Sequence, residues 1–100
     1  MEALRLQQMY AELLAAAPIQ SPEWRAYVTI AYGLRDFRIS SAKRLAQRKQ
    51  AEYNRMLNKA DVLADLEFTR FIIGQRTVYR HFLYEVAKIE QAQRKVKVAA

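Results

Sequence analysis

His81 is the only histidine of the chain and stands in the run Tyr79-Arg80-His81-Phe82-Leu83-Tyr84, so it is the one side chain whose ordinary titration range falls near neutral pH. Its aromatic neighbours predict a packed or surface histidine rather than a catalytic base or metal ligand. Asp61 and Asp65 stand four residues apart, one helical turn, where two carboxylates can share a cation. No third ligand follows at a usable spacing, so the pair reads as a solvated helix face. The sequence holds no Gly-rich phosphate loop, nucleophile elbow or metal motif. With no cysteine, disulfides, thiolate nucleophiles and cysteine-ligated zinc or iron–sulfur centres are excluded within this chain. An enzyme is not expected.

Binding chemistry is better represented. The net charge of +7 is unevenly placed. Residues 35–50 hold six basic groups, Arg35, Arg38, Lys43, Arg44, Arg48 and Lys49, against Asp36 alone, and residues 74–100 hold six against two. The remaining stretches are close to neutral. Two basic blocks on a neutral scaffold imply an acidic partner: a phosphate, a lipid headgroup or an acidic protein.

The elements that must position these groups are helices. One hundred residues with two Gly and two Pro, rich in Ala, Leu, Arg, Gln, Glu and Lys, predict one all-α domain. In the first segment Leu6, Met9, Tyr10, Leu13, Leu14 and Ala17 recur at steps of three and four, one face of a helix from about Glu2 to Ala16. Its acidic residues argue against a secretory signal or a transit peptide, and no apolar run reaches bilayer length. Pro18 ends this helix, and the short connection folds the next one back antiparallel.

Ser21 is placed to cap that second helix, with Pro22 in its first turn and Glu23 at its positive end; Arg35 and Arg38 suit its negative end. Trp24, Tyr27, Val28, Ala31 and Leu34 form one apolar face, and Ala26, Ile30, Gly33 and Phe37 a second stripe. Gly33 inside a helix costs about 1 kcal/mol relative to Ala. It therefore has a packing reason, either a closely approaching helix or a groove that something else fills, and close packing is the favoured reading. A third helix, capped by Ser40 or Ser41, begins with a charged stretch through Gln50 and turns amphipathic through Tyr53, Met56, Leu57, Ala60, Leu63, Ala64, Phe68 and Phe71. A bend or break is expected near Gly74, with a continuous helix as the alternative. Val78, Tyr79, Phe82, Leu83, Val86 and Ile89 then continue the helical spacing. The expected architecture is an antiparallel three-helix bundle with a C-terminal helical extension, residues 1–92, followed by a basic tail, residues 93–100, that frays or lies on a partner.

In order and spacing these segments resemble the LYR-motif family, small basic three-helix proteins of the mitochondrial matrix. Gln8-Met9-Tyr10-Ala11-Glu12-Leu13-Leu14 is similar to the family's Leu-Tyr-Arg followed by a leucine pair. Leu34-Arg35-Asp36-Phe37-Arg38 is similar to the basic run around a phenylalanine that ends its second helix. Met56-Leu57-Asn58-Lys59-Ala60, Leu63, Leu66 and Ile73-Gly74-Gln75-Arg76-Thr77-Val78-Tyr79 resemble its third helix. The resemblance covers about residues 4 to 84, and its C-terminal end looks most like the family's complex I accessory subunits.

The resemblance implies a noncatalytic accessory or adaptor subunit on the matrix side, peripheral to the inner membrane. Its partners would be subunits of a large respiratory assembly, foremost complex I, and no DNA. It also implies docking of an acylated acyl carrier protein whose phosphopantetheine-linked chain threads between the helices, with no cofactor bound directly. Carried onto this chain, Tyr10, Arg35, Arg38, Lys43 and Arg44 would meet the carrier, and Leu13, Leu14, Ile30, Gly33, Phe37 and Leu63 would line the acyl chain. Ala11 stands at the motif's arginine and Met9 at its leucine. Either Arg35 or Arg38 substitutes for the missing arginine, or the fold serves as a structural subunit without the carrier. The alternative from a different class is a basic helical nucleic-acid-binding protein, such as a ribosomal accessory protein, suggested by the interleaved basic and aromatic residues Arg76, Tyr79, Arg80 and Tyr84 and by the dense block from Lys43 to Lys49. The chain is also expected to be unstable alone, given the large apolar residues spread around its last two segments.

Overall fold

Secondary structure in the computed structural model is entirely helical among the residues it describes, 2–35 and 38–99. Five helices form in the order α1 (Glu2–Ala16), α2 (Pro22–Gly33), α3 (Ile39–Met56), α4 (Ala60–Ala64) and α5 (Leu66–Ala99). This is the all-α bundle expected from composition.

The start of α2 follows its sequence signals. Ser21 is the N-cap, its hydroxyl accepting from the Trp24 amide at 3.1 Å, and Pro22 opens the first turn. Its end falls earlier than expected. Leu34 is the C-cap, which leaves Arg35 just beyond the helix and makes Arg38 the N-cap of α3. Arg38 thus faces the positive end of α3 instead of the negative end of α2. Neither Ser40 nor Ser41 caps α3, because both lie inside its first turn.

The second half divides differently from expectation. The third helix stops at Met56, and a turn leads into α4. Asp65 then caps α5, its carboxylate accepting from the Phe68 amide at 3.1 Å while its carbonyl accepts from Thr69 at 2.9 Å. From there α5 continues through Gly74 without a break to Ala99. Its 34 residues span about 51 Å at the α-helical rise, which accounts for the 53 Å long axis of the molecule. The segment expected as a fraying tail continues this helix, and residues 91–95 are exposed.

The part of α5 from Ile72 to Ile89 lies at the centre of the bundle, and the helix extends beyond it with residues 91–95 exposed. Tyr10 of α1 meets His81, Asn54 of α3 meets Arg76, and Lys43 of α3 meets Glu90, so α1 and α3 both run antiparallel to α5. Pro22 and Glu23 lie against Gly74, and α2 runs in the same direction as α5. The core joins Leu6 and Tyr10 of α1, Ala26 and Ile30 of α2, Ala42, Ala46 and Tyr53 of α3, and Ile72, Val78, Tyr79, Phe82, Val86 and Ile89 of α5.

Both glycines mark close approaches. A Cβ on Gly33 would stand 3.3 Å from Ala42 Cβ, so α2 and α3 meet there directly. A Cβ on Gly74 would stand 2.9 Å from both Pro22 Cβ and Glu23 Oε1. The glutamate can swing away, but the proline ring is fixed to the backbone. We expect Gly74→Ala to destabilise the fold by about 1–2 kcal/mol, overpacking outweighing the gain in helix propensity. Urea unfolding followed by circular dichroism measures this, and a rise in midpoint would contradict the contact.

Candidate functional site

Tyr10, expected to face a carrier protein, is fully buried in the core. Its ring meets the Phe82 edge at a centroid distance of 5.4 Å and tilts against Tyr27 at 6.0 Å. The periodicity that places it on an apolar face is stronger than its match to a docking motif. Its hydroxyl lies 3.1 Å from His81 Nδ1, and His81 Nε2 lies 3.6 Å from Glu85 Oε1. The first contact is a hydrogen bond whose donor is set by the imidazole tautomer, and the second is an electrostatic approach longer than a hydrogen bond. Lys88 Nζ completes the chain 3.2 Å from the same Glu85 oxygen. His81 is exposed and serves here as the partner that a buried phenol requires.

The other residues expected at the carrier surface separate into two groups. Arg38 and Arg44 are exposed at the start of α3, whose N-terminus has no side-chain cap. Arg35 is exposed, with its guanidinium 4.1 Å over the Tyr32 ring. Lys43 is committed elsewhere: its ammonium lies 2.6 Å from Glu90 Oε1 and ties α3 to α5.

The residues expected to line an acyl chain do not gather around one cavity. Ile30 is buried in the core, Gly33 is sealed by Ala42, and Leu63 is exposed on α4. Leu13 and Leu14 are half-buried. Phe37 lies outside the described residues. Of the set, Leu13 borders an open groove of about 640 Å³ between α1, α2 and α5, floored by Tyr27, Ile73, Gly74 and Val78. The stripe through Ile30 and Gly33 closes because Ala42 and Ala46 present small side chains to it, which allows α3 to approach closely.

Two features escaped the sequence reading. Gln75 is buried and its side-chain carbonyl accepts the Tyr53 hydroxyl, a pairing that only a contact between α3 and α5 can create. Arg55 is exposed and continues the line of Arg44 and Arg48 on α3. Its step of seven from Arg48 was the available signal. Among the described residues, no group of three or more His, Cys, Asp or Glu side chains could hold a metal ion, and no helix is long and apolar enough to cross a membrane.

Comparisons with family profiles, with curated proteins and with solved structures give no match for this chain. The resemblance to LYR-motif proteins therefore rests on the order and spacing of its own residues.

The buried tyrosines give the fold an alkaline limit. Burial pushes the Tyr53 phenol up to about 12 from its ordinary 10, with Tyr79 and Glu52 adding to it. It also raises Tyr10, helped by Glu85, as well as Tyr27 and Tyr79. A phenol with a raised pKa holds its proton more tightly folded than unfolded, so its contribution is complete below pH 10 and is lost as pH climbs through the folded value. Stability should fall with increasing steepness above pH 10. Tyr10→Phe, at a neutral-pH cost of about 1 kcal/mol for the lost hydrogen bond, should soften that fall. Thermal melts across the alkaline range, paired with phenolate absorbance, provide the check.

Proposed function

We propose that this chain is a noncatalytic accessory or adaptor subunit of a larger protein assembly. Following its resemblance to LYR-motif proteins, we place that assembly on the matrix side of the mitochondrial inner membrane, with respiratory complex I foremost.

The observation that carries the reading is the outward line of α5. Leu66, Ile73, Thr77, Arg80 and Tyr84 recur there at steps of three, four and seven, on the side opposite Ile72, Val78, Tyr79 and Phe82. Leu66 is 68% exposed, Ile73 41% and Tyr84 61%. An isolated bundle gains nothing from apolar side chains in water, whereas covering them is worth roughly 25 cal/mol per Å². Arg70 and Arg80 lie beside them, exposed, and no acidic residue interrupts the line. This combination of apolar anchors and flanking cations suits a partner helix with an apolar stripe and acidic edges.

Carrier docking is the finer form of the proposal. Arg38 and Arg44, exposed beside the uncapped start of α3, support it. Admitting the acyl chain would require α2 and α3 to part at Gly33 and Ala42.

Native mass analysis of the tagged chain from its own cells tests both levels. The expected result is migration within an assembly far heavier than 11.7 kDa, reduced at least about tenfold by Leu66→Glu with Ile73→Glu, a loss of roughly 1.4 kcal/mol or more of binding. Copurification of a carrier with a phosphopantetheine-linked acyl chain would support the finer form. Recovery solely as a monomer with its own sharp thermal transition would overturn the proposal.

A further inference from the structure

We propose that the outward face of α3 is a docking strip for the phosphate backbone of an RNA duplex, a function separate from the partner surface on α5. Ser41, Arg44, Arg48, Ala51 and Arg55 recur at steps of three and four and are all exposed. They lie opposite the buried stripe of Ala42, Ala46 and Tyr53. The side chains of Arg44, Arg48 and Arg55 have no ion pair, hydrogen bond or ring contact among the described residues, whereas Arg5, Lys43 and Lys88 are each paired with a glutamate. Like charges four residues apart destabilise a helix. The Arg44–Arg48 pair therefore works against α3 until an external anion neutralises it.

The character of the face selects the anion. A protein interface is anchored by buried aromatic or aliphatic side chains, and the only apolar residue on this line is Ala51. A phosphate backbone needs no such anchor. Unstacked single strands are held by aromatic platforms, and this line offers none, so a duplex fits better. The four-residue step from Arg44 to Arg48 rises about 6 Å, close to the separation of neighbouring phosphates along an A-form strand, and the seven-residue step from Arg48 to Arg55 about 10 Å, which passes over one phosphate. From Arg44 to Arg55 the rise is about 16 Å, which gives the three arginines three phosphates of one strand to contact. Ser41 and Gln47, exposed beside the arginines, are donors for phosphate oxygens and 2′-hydroxyls. Glu52, the only acid of α3, is exposed four residues from Arg48 and three from Arg55, on one edge of the strip and in no ion pair with either arginine. Such a surface reads backbone geometry and not base sequence.

Fluorescence anisotropy of the full chain with a labelled mixed-sequence RNA duplex tests this. Binding should weaken as salt rises, with a log–log slope of about −2 to −3 for three phosphate contacts. Replacing all three residues, Arg44→Gln, Arg48→Gln and Arg55→Gln, should weaken binding at least about tenfold at low salt and take most of the slope with it. The corresponding triple change to lysine should retain most of the binding, and Arg80→Gln on α5 should leave it unchanged. Circular dichroism should report the same helicity throughout. No RNA binding at low salt, an unaffected glutamine variant, or equal competition by a DNA duplex or by polyglutamate would overturn the proposal. Loss of assembly through the α5 variants leaves these results untouched, so the α5 assembly surface and the RNA strip fail separately; Arg44 is shared with the carrier surface, and Arg48 and Arg55 belong to the strip alone.

Discussion

One face of α5 constrains everything else in this molecule. Ile72, Gln75, Val78, Tyr79, Phe82, Val86 and Ile89 are buried along it, and α1, α2 and α3 each pack part of their own buried face against that stripe. Apolar contact by itself is indifferent to a slip of one turn. Buried hydroxyls are not, because an unpaired one costs roughly 1–3 kcal/mol. Tyr10 finds His81 and Tyr53 finds Gln75, so one polar pair sets the register of α1 on α5 and another sets that of α3. Lys43 with Glu90 and Asn54 with Arg76 agree with the second setting from farther along the same helices. Gly74 supplies the remaining condition, admitting the start of α2 to the α5 backbone.

The first two helices were legible because their signals are local. Pro18, Ser21 and Pro22 punctuate the chain where the structure does, and the apolar steps in α1 select Leu6 and Tyr10 for burial. The division between α3 and α5 was not legible. Residues 57–65 contain neither Gly nor Pro, and Ala60, Leu63 and Ala64 continue a helical period straight through the break. Gly74 offered a conventional breaking signal eight or so residues too late, and its actual role, close contact with Pro22 and Glu23, depends on a residue more than fifty positions away. Asp65 was the usable clue, since a carboxylate three residues ahead of Phe68 is placed to cap. It was read as half of an acidic pair with Asp61.

The candidate site divides in the same way. Which side chains carry charge is plain from the sequence, but which charges remain available depends on neighbours that only the fold supplies. Lys43 and Arg44 are adjacent, yet Lys43 turns toward Glu90 while Arg44 points outward. Tyr10 matches a docking motif and an apolar period at once, and burial against Phe82 and Tyr27 decides between them. Gly33 had an open and a closed reading, and Ala42 closes it.

That closure bears on how any long ligand would have to enter. A chain threaded between α2 and α3 must displace the contact of Gly33 with Ala42 and uncover Ile30 and Ala46, which are buried in the common core. The groove bordered by Leu13, Tyr27, Ile73 and Val78 already stands open and asks for no such separation. It lies between α1, α2 and the first half of α5, the same half that presents Leu66 and Ile73 outward. Ile73 contributes to both the groove and the outward line. A partner seated on the outward line of α5 would therefore also cover one edge of the groove, and the two surfaces would be occupied as one.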